Sequence, residues 1–315
     1  MSPNALFSGP VSVKLMRAIV PAVALCGVVA ASSSLLAPST ATAGPTIKVA
    51  QADPVRPGFQ RFAWLNAWAN HHTAPGGSAA GRLDGVPRMR IVVGHLRRTL
   101  IDFGVLAEVE APQREAFERF GREYALVSTP DATDDAVFFR RSVFRLVSQD
   151  PVTMYYRHGA RVTAPVVVLE ERATGRRVGV LPVHFPASIP SAPNQKRWRD
   201  LDARIVKSTV ARAGVPMVVA GDFNQRNDIL CDLTSPETGL VSPLASHERC
   251  ATGRAPIDQV FLDPSLRPDR YQVYSGPSAR RATDHGAFYQ VRMQIPAMPG
   301  AAPMVGPVAP ALAQK

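Results

Sequence analysis

The chain has 315 residues, of which 46% are hydrophobic and 19% are charged. This composition excludes an intrinsically disordered chain and is typical of a globular protein with a sizeable core. The formal net charge of +11 favours polyanionic partners such as nucleic acid or acidic lipid headgroups. Most of the excess is arginine, which also accumulates in chains from GC-rich genomes, so the charge alone does not establish a partner.

The N-terminal residues 1–43 are predicted to be a secretory signal peptide. Lys14 and Arg17 precede an apolar run over residues 18–37, and a small-x-small cleavage site ends at Ala43. An uncleaved membrane anchor is the alternative, because about 20 apolar residues can span a bilayer. A proline and three consecutive serines interrupt the run, which favours cleavage and a secreted protein.

The remaining chain is predicted to form one continuous domain over residues 58–295. A flexible lead-in over residues 44–57 precedes it, and a disordered Pro/Ala-rich tail over residues 296–315 follows it. Cleavage of the signal peptide leaves two cysteines, Cys231 and Cys250. In an exported chain we expect them to form a disulfide, with two free thiols as the alternative.

Strand-like segments outnumber helical ones along this domain, and several are joined as hairpins. Hairpin connections favour mixed sheets with helices outside over a doubly wound parallel sheet. The patterns predict strands at 59–66, 105–109, 136–140, 143–147, 165–169, 177–185, 215–220, 257–262, 271–274 and 287–293, and helices at 84–103, from Pro112, and at 194–213.

Polar side chains follow a buried strand at Gly221-Asp222-Phe223-Asn224. The glycine permits a sharp turn, and two residues in extended chain project to the same side. A carboxylate beside an amide suits a site that deprotonates water and holds a substrate oxygen. An ordinary turn is the alternative interpretation, because Asp and Asn are common turn residues.

A second group of polar residues has the same relation to strands. Asp284 and His285 precede the last strand, where a carboxylate and an imidazole can serve a metal and a general acid or base. Asp258 lies in an apolar strand, where a carboxylate without a partner is costly, and His285 is its predicted partner. Three further strands end in an amide, a carboxylate and an imidazole: Asn66, Glu108 and His184.

The order of these residues resembles the endonuclease/exonuclease/phosphatase family, which has the DNase I-like fold. The resemblance covers about residues 58–294, and Gly221-Asp222-Phe223-Asn224 and Asp284-His285 are its most specific matches. It implies an α/β (α+β) four-layer sandwich, in which two mixed β-sheets pack face to face and helices flank both outer sides. It also implies a Mg²⁺-type metal site.

The resemblance implies which residues hold the metal. Glu108 would be the principal ligand, with Asn66 and Asp284 near the same ion. Oxygen ligands fit Mg²⁺, or Mn²⁺ or Ca²⁺, better than zinc. Glu110 is a fallback ligand if the register slips by two residues. The family usually has Gln before the metal-binding Glu, and here that position is Ala107, which removes a supporting group but no ligand.

The catalytic roles also follow from the resemblance. Asp222 would orient or deprotonate the attacking water. Asn224 and His184 would hold the non-bridging phosphate oxygens. His285, paired with Asp258, would act as general acid/base or as a cationic stabiliser.

Other residues receive weaker interpretations. Arg280 and Arg281 precede the Asp-His pair and are the first candidates to bind substrate phosphates. His71 and His72 are predicted to lie in a solvated loop rather than to bind a metal. The segment 154–156 is predicted to be a strand that packs on the core, with a membrane-touching or base-stacking tip as the alternative.

The sequence therefore predicts a secreted, metal-dependent phosphoester hydrolase. The positive net charge of the chain ranks its candidate substrates. A phosphodiesterase or nuclease acting on nucleic acid comes first. A sphingomyelinase-like phosphodiesterase of lipid headgroups or a phosphatase is the alternative, followed by a non-catalytic basic binding protein. A monomer without a stable protein partner is expected.

Overall fold

The computed structural model describes residues 59–129, 134–244, 250 and 253–297. The predicted signal peptide, the lead-in and the tail beyond residue 297 lie outside these ranges. In the part of the chain that is described, no helix is long and apolar enough to cross a membrane.

Eleven strands and six helices alternate irregularly along these residues. In chain order they are β1 (Phe59–Asn66), α1 (Asn70–Thr73), α2 (Gly85–Arg98), β2 (Phe103–Ala107), α3 (Ala111–Phe120), β3 (Tyr124–Val127), β4 (Ala136–Arg140), β5 (Phe144–Tyr155), β6 (Arg161–Glu171), β7 (Arg177–His184), α4 (Lys196–Arg212), β8 (Met217–Asp222), α5 (Asn227–Leu233), β9 (Asp258–Leu262), β10 (Pro268–Tyr274), α6 (Pro277–Ala282) and β11 (Phe288–Gln294).

The strands form two mixed sheets. One has six strands in the order β10-β11-β1-β2-β4-β3, and the other has five in the order β5-β6-β7-β8-β9. The pairs β1–β2 and β7–β8 are parallel, and the remaining neighbours are antiparallel. This topology, with its flanking helices, confirms the predicted fold class.

Alternation along the strands explains the layers. In β1, Phe62 and Trp64 join the apolar cluster between the two sheets, whereas Ala63 and Leu65 join a second cluster under α2, α3 and α6. Successive side chains of a strand point to opposite faces, so one strand serves both clusters. A third cluster lies between the five-stranded sheet and α4 and α5. The result is a helix–sheet–sheet–helix sandwich.

The predicted helix over 84–103 is too long. The structure ends α2 at Arg98, Leu100 has a left-handed backbone with φ +54°, and Phe103 begins β2. Phe103 packs edge-to-face on Phe62 at 5.3 Å between ring centroids. Its apolar side chain matches the helical spacing by coincidence. At its other end β2 stops at Ala107, so Glu108 lies just beyond the strand rather than inside it.

Two further strand predictions are corrected. The strand β5 extends to Tyr155, and β6 begins at Arg161, so the two form a hairpin much longer than predicted. β5 is an edge strand with mostly exposed residues, so it lacks the alternation by which strands are recognised. The short β3 was not predicted. The predicted disulfide between Cys231 in α5 and Cys250 is confirmed.

His95 is a buried titratable group that generates a prediction about stability. It stacks on Phe288 at 4.1 Å and lies 2.7 Å from Gln290 through its Nε2. Burial, aided by the charge of Arg98, lowers the pKa of His95 to about 4. The neutral ring is therefore the form that the folded protein retains.

Because the folded pKa lies below the ordinary value, this contribution to stability is complete above about pH 6.5 and is lost as pH falls towards 4. Between about pH 6.5 and pH 4 the wild type should lose about 3 kcal/mol more of its free energy of unfolding than His95→Gln, because only the wild type carries the titrating ring. Urea denaturation at several pH values measures it. Equal pH dependence in both proteins would contradict the prediction.

Candidate active site

The predicted site residues converge where strands of both sheets end. Asn66, His184 and Asp222 are the last residues of β1, β7 and β8, and Asp258 is the first residue of β9. Because β1–β2 and β7–β8 are parallel pairs, their carboxyl ends share an edge. Asp258 joins them because β9 runs antiparallel to β8, in register opposite Asp222.

Asn66 and Glu108 form a pair on the six-stranded sheet. Asn66 Nδ2 donates to Glu108 Oε1 at 2.9 Å, and the backbone N–H of Ala69 donates to Oε2 at 2.8 Å. Glu108 has φ +58°, a left-handed conformation that turns its side chain into the site. Burial opposes ionisation, but His184 and these hydrogen bonds outweigh it and lower the pKa of Glu108 below its usual range.

Ala107 does not face this pair. It is fully buried in the cluster between the sheets. The support for Glu108 comes instead from Asn66 and from the loop after β1, which Gln113 holds by donating to the carbonyl oxygens of Ala67 and Trp68. The departure at residue 107 therefore leaves the hydrogen bonds of Glu108 intact.

Asp222 and Asn224 lie together, but for a different reason than predicted. Asn224 adopts a left-handed backbone with φ +46°, so the chain turns rather than continuing extended. Its backbone N–H donates to Asp222 Oδ1 at 2.8 Å, and Nδ2 donates to Asp222 Oδ2 and to the carbonyl of Phe185. Both amide hydrogens are thus engaged, and binding a phosphate oxygen requires one of them to exchange partner.

Gly221 is required by close approach of two strands rather than by a turn. It lies within β8, opposite Val183 of β7, and a Cβ at this position would overlap the carbonyl oxygen of Val183. The next residue is Asp222, only 3% exposed. Burial raises the pKa of Asp222 to about 6, although His184 and His285 oppose the shift.

His285 has the predicted partner. Its Nδ1 lies 2.8 and 3.0 Å from the two oxygens of Asp258, and the hydroxyl of Tyr289 donates to the same carboxylate at 3.3 Å. Its Nε2 lies 3.5 Å from Asn66 Nδ2 and 3.9 Å from Asp222 Oδ2. Burial opposes protonation, but the hydrogen bond to Asp258 outweighs it and raises the pKa of His285 to about 9.

His184 occupies the junction of the two sheets. Its Nε2 lies 3.9 Å from both Glu108 Oε1 and Asp222 Oδ2, and its Nδ1 lies 3.9 Å from Asp135 Oδ1. Burial alone would lower the pKa of His184, but the three carboxylates raise it above its usual value. The carboxylates therefore favour the charged form of this ring, which suits a phosphate oxygen.

Asp135 is a site residue that the sequence did not reveal. It is 1% exposed and directly precedes β4. The short acidic stretch before β4 looks like a polar turn, and only the buried strand that follows it gives any sign of its position. Asp135 lies 3.9 Å from His184, the same distance as Glu108 and Asp222, whereas Asp258 hydrogen-bonds His285 directly.

The chemistry of the oxygen groups fits the predicted divalent metal. Partial burial and the charge of Glu108 raise the pKa of Asp284, as expected for carboxylates brought close without a cation. Among the residues described, no three His, Cys, Asp or Glu side chains form a metal-binding group. Mg²⁺ commonly uses one or two carboxylates with water and phosphate oxygens, so Asn66, Glu108 and Asp284 have the chemistry for it and stay the predicted ligands.

The remaining predicted residues lie around this centre. Arg280 and Arg281 are exposed on α6, and Arg280 donates to the carbonyl of Ser275 at 2.7 Å, so their contact with substrate stays a prediction. Glu110 caps α3 and pairs with His71 at 2.5 Å, so it does not replace Glu108.

His71 and His72 are not in a loop. They belong to α1, and both line a cavity beside Glu108 and His184. In segment 154–156, Met154 is buried in the core as predicted, whereas Tyr156 lines the same cavity. The sequence analysis considered roles for these residues but did not place them beside the site, because they come from segments that are distant along the chain.

The close approach at Gly221 predicts that Gly221→Ala is destabilising. The added methyl group forces β7 and β8 apart, which should lower the free energy of unfolding by about 2 kcal/mol or more. Denaturant titration measures it. Gly276→Ala is the matched control, because a Cβ there meets nothing within 4 Å. Equal stability of the two variants would show that β8 has room for the methyl group.

Comparison with known proteins agrees with this geometry. The model of the endonuclease/exonuclease/phosphatase family matches residues 63–285. No curated protein matches the chain.

Solved structures show the same fold at low sequence identity. Zebrafish (D. rerio) TDP2 in complex with a single-strand DNA product has 14% identity and a TM-score of 0.59, covering 75% of this chain and 99% of that chain. The human Nocturnin catalytic domain with bound sulfate has 16% identity and a TM-score of 0.56, covering 76% and 95%. A mannosyl-6-phosphatase from Bacteroides thetaiotaomicron has 16% identity and a TM-score of 0.53, covering 74% and 99%.

The match to the family model spans more than half of the chain and includes all eight residues of the predicted metal and catalytic set. It therefore confirms the resemblance found in the sequence. The chain belongs to the endonuclease/exonuclease/phosphatase family, whose members are phosphoester hydrolases.

Proposed function

We propose that this chain is a secreted, metal-dependent phosphodiesterase that cleaves nucleic acid. One observation carries the proposal. A buried carboxylate, Asp222, and an imidazole held by its own carboxylate, His285, face the same point 3.9 Å apart, beside the Asn66–Glu108 pair. Such a pair can serve the attacking water and the leaving oxygen in one site.

The two groups have complementary proton states near neutral pH. Asp222, with a pKa of about 6, is mostly ionised and can accept a proton from water as its oxygen bonds to phosphorus. His285, with a pKa of about 9, carries a proton that it can give to the ester oxygen as the phosphorus–oxygen bond breaks. His184, whose charged form the nearby carboxylates favour, can donate a hydrogen bond to a non-bridging oxygen.

A divalent ion held by Asn66, Glu108 and Asp284 would neutralise charge on the phosphoryl oxygens. Asn66 also orients Glu108, since the two are hydrogen-bonded directly. Mg²⁺ is the first choice, with Mn²⁺ and Ca²⁺ as alternatives, because all three favour oxygen ligands.

Charge supports nucleic acid as the substrate. The predicted signal peptide contains Lys14 and Arg17 and no acidic residue, so the net charge of +11 becomes +9 after cleavage. A basic surface attracts polyanions. The zebrafish relative, seen with a single-strand DNA product, provides a precedent on the same fold.

The proposed activity predicts metal-dependent cleavage by the chain from Gly44 onward. Plasmid DNA, RNA, sphingomyelin and a generic phosphodiester are offered with Mg²⁺, Mn²⁺ or Ca²⁺. We expect cleavage of a nucleic acid, reduced about a thousandfold in Asp222→Ala and His285→Ala, since each variant removes a proton-transfer group. Asp269→Asn, which changes an exposed carboxylate paired with Arg292, should retain activity.

The other outcomes identify the alternatives. Cleavage of sphingomyelin alone would refute the nuclease in favour of a lipid phosphodiesterase. Hydrolysis of phosphomonoesters alone would indicate a phosphatase. Polyanion binding without hydrolysis, equal in wild type and variants, would indicate a basic binding protein.

Secretion predicts a processed N-terminus. When the full chain is expressed in a bacterium, N-terminal sequencing of the protein in the extracytoplasmic fraction should begin at Gly44. Ala43→Arg should prevent cleavage, because signal peptidase requires a small residue there. A wild-type protein that stays in the membrane with residues 1–43 attached would refute secretion in favour of an anchor.

A further inference from the structure

A cavity of about 230 Å³ opens beside the catalytic residues. It shares Glu108 and His184 with them, and Tyr156 and Arg157 form part of its wall. None of the catalytic or metal-binding roles described above uses Arg157. The cavity therefore contains a cationic group that the proposed chemistry leaves unassigned.

The guanidinium of Arg157 lacks the carboxylate partner that several surface arginines have. Arg97 pairs with a carboxylate, as do Arg145 and Arg177. Arg157 makes no hydrogen bond or ion pair through its side chain with any residue in the described ranges, and its Nε is buried without a partner. A buried polar group without an acceptor is costly. An anionic ligand would supply the hydrogen-bond acceptor that the guanidinium lacks.

The segment that carries Arg157 is held in place by α4. Tyr155 stacks on Trp198 with 5.2 Å between ring centroids, and the Tyr155 N–H donates to Asp202 at 2.8 Å. The N–H of His158 donates to Gln195 at 3.0 Å. These contacts fix the tip of the β5–β6 hairpin on both sides of Tyr156 and Arg157. The guanidinium is thus part of a positioned wall rather than of a free loop.

The ring of Tyr156 packs against both Arg157 and His184. The Arg157 guanidinium carbon lies 5.3 Å from the ring centroid, and the His184 ring packs edge-on against Tyr156 at 5.7 Å. A guanidinium and an imidazole therefore both pack against one aromatic ring. Each can donate a hydrogen bond to an anionic oxygen, and the ring offers a surface that a base or sugar can contact.

We propose that Arg157 is a specificity-determining residue that binds a second phosphate of the substrate, next to the one that is cleaved. The inference rests on the proposed phosphodiesterase function and narrows it to polynucleotides and phosphorylated oligonucleotides. Guanidinium groups bind phosphate through paired, charge-assisted hydrogen bonds, which adds both affinity and register. A substrate with a single phosphodiester leaves this subsite empty.

The test compares a dinucleotide that has only the scissile phosphate with the same dinucleotide bearing an additional terminal phosphate, tried at either end. In the wild type, the additional phosphate at one end should lower KM by about tenfold to a hundredfold. Arg157→Gln should lose most of this preference, and Arg157→Lys should recover part of it. Arg161→Gln is the matched control, since Arg161 is exposed on the same hairpin and does not line the cavity.

The outcomes separate this inference from the proposed function. Cleavage of both dinucleotides with the same preference in wild type and Arg157→Gln overturns the subsite and leaves the phosphodiesterase intact. If neither is cleaved, calorimetric binding of the phosphorylated dinucleotide decides. Binding that weakens in Arg157→Gln supports the subsite, and equal binding overturns it. Unchanged thermal unfolding of Arg157→Gln excludes a folding defect.

Discussion

The site depends on the face-to-face packing of the two sheets. Phe62 and Trp64 from one sheet and Val180 and Val218 from the other belong to a single apolar cluster. Because each sheet contains a parallel pair with its carboxyl ends at the same edge, this packing brings polar residues from both sheets together. His285 precedes a strand of one sheet and Asp258 begins a strand of the other. The apolar packing between the sheets therefore fixes the geometry of this pair.

Burial and hydrogen bonding together set the chemistry at that edge. Burial favours the neutral form of any ionisable group, and it raises the pKa of Asp222. At His285 the same penalty is outweighed by a direct hydrogen bond from the ring to Asp258. One site can therefore contain a base and a protonated acid near neutral pH. At His184 three carboxylates, Asp135, Asp222 and Glu108, outweigh burial, so both imidazoles favour the charged form that suits a phosphate.

The role of each arginine depends on its own contacts rather than on the overall excess of positive charge. Arg97, Arg145, Arg177 and Arg292 each pair with a carboxylate, and these pairs lie mostly at the surface, where they add little to stability or to ligand binding. Net charge describes the long-range attraction of polyanions. Recognition depends on the placement of individual cations. Arg157 lies in the wall of the cavity, has no acceptor among the residues that the structure describes, and belongs to a segment that α4 holds in place.

The sequence by itself determined the family and the two mixed sheets, and it named the eight polar residues that we propose as the catalytic and metal-binding set. The sequence reveals these features for two reasons. The strands leave recognisable apolar patterns, and the polar residues at the strand ends follow one another in the order that resembles the family. Periodicity also misplaced Phe103 in a helix, and it predicted only the two ends of β5, because the exposed middle of that edge strand has no apolar alternation. Only the tertiary structure decided the turn at Asn224, the partner of His184 and the wall formed by Tyr156 and Arg157. Those features arise from contacts between segments far apart in sequence, where no local pattern records which side chains will meet.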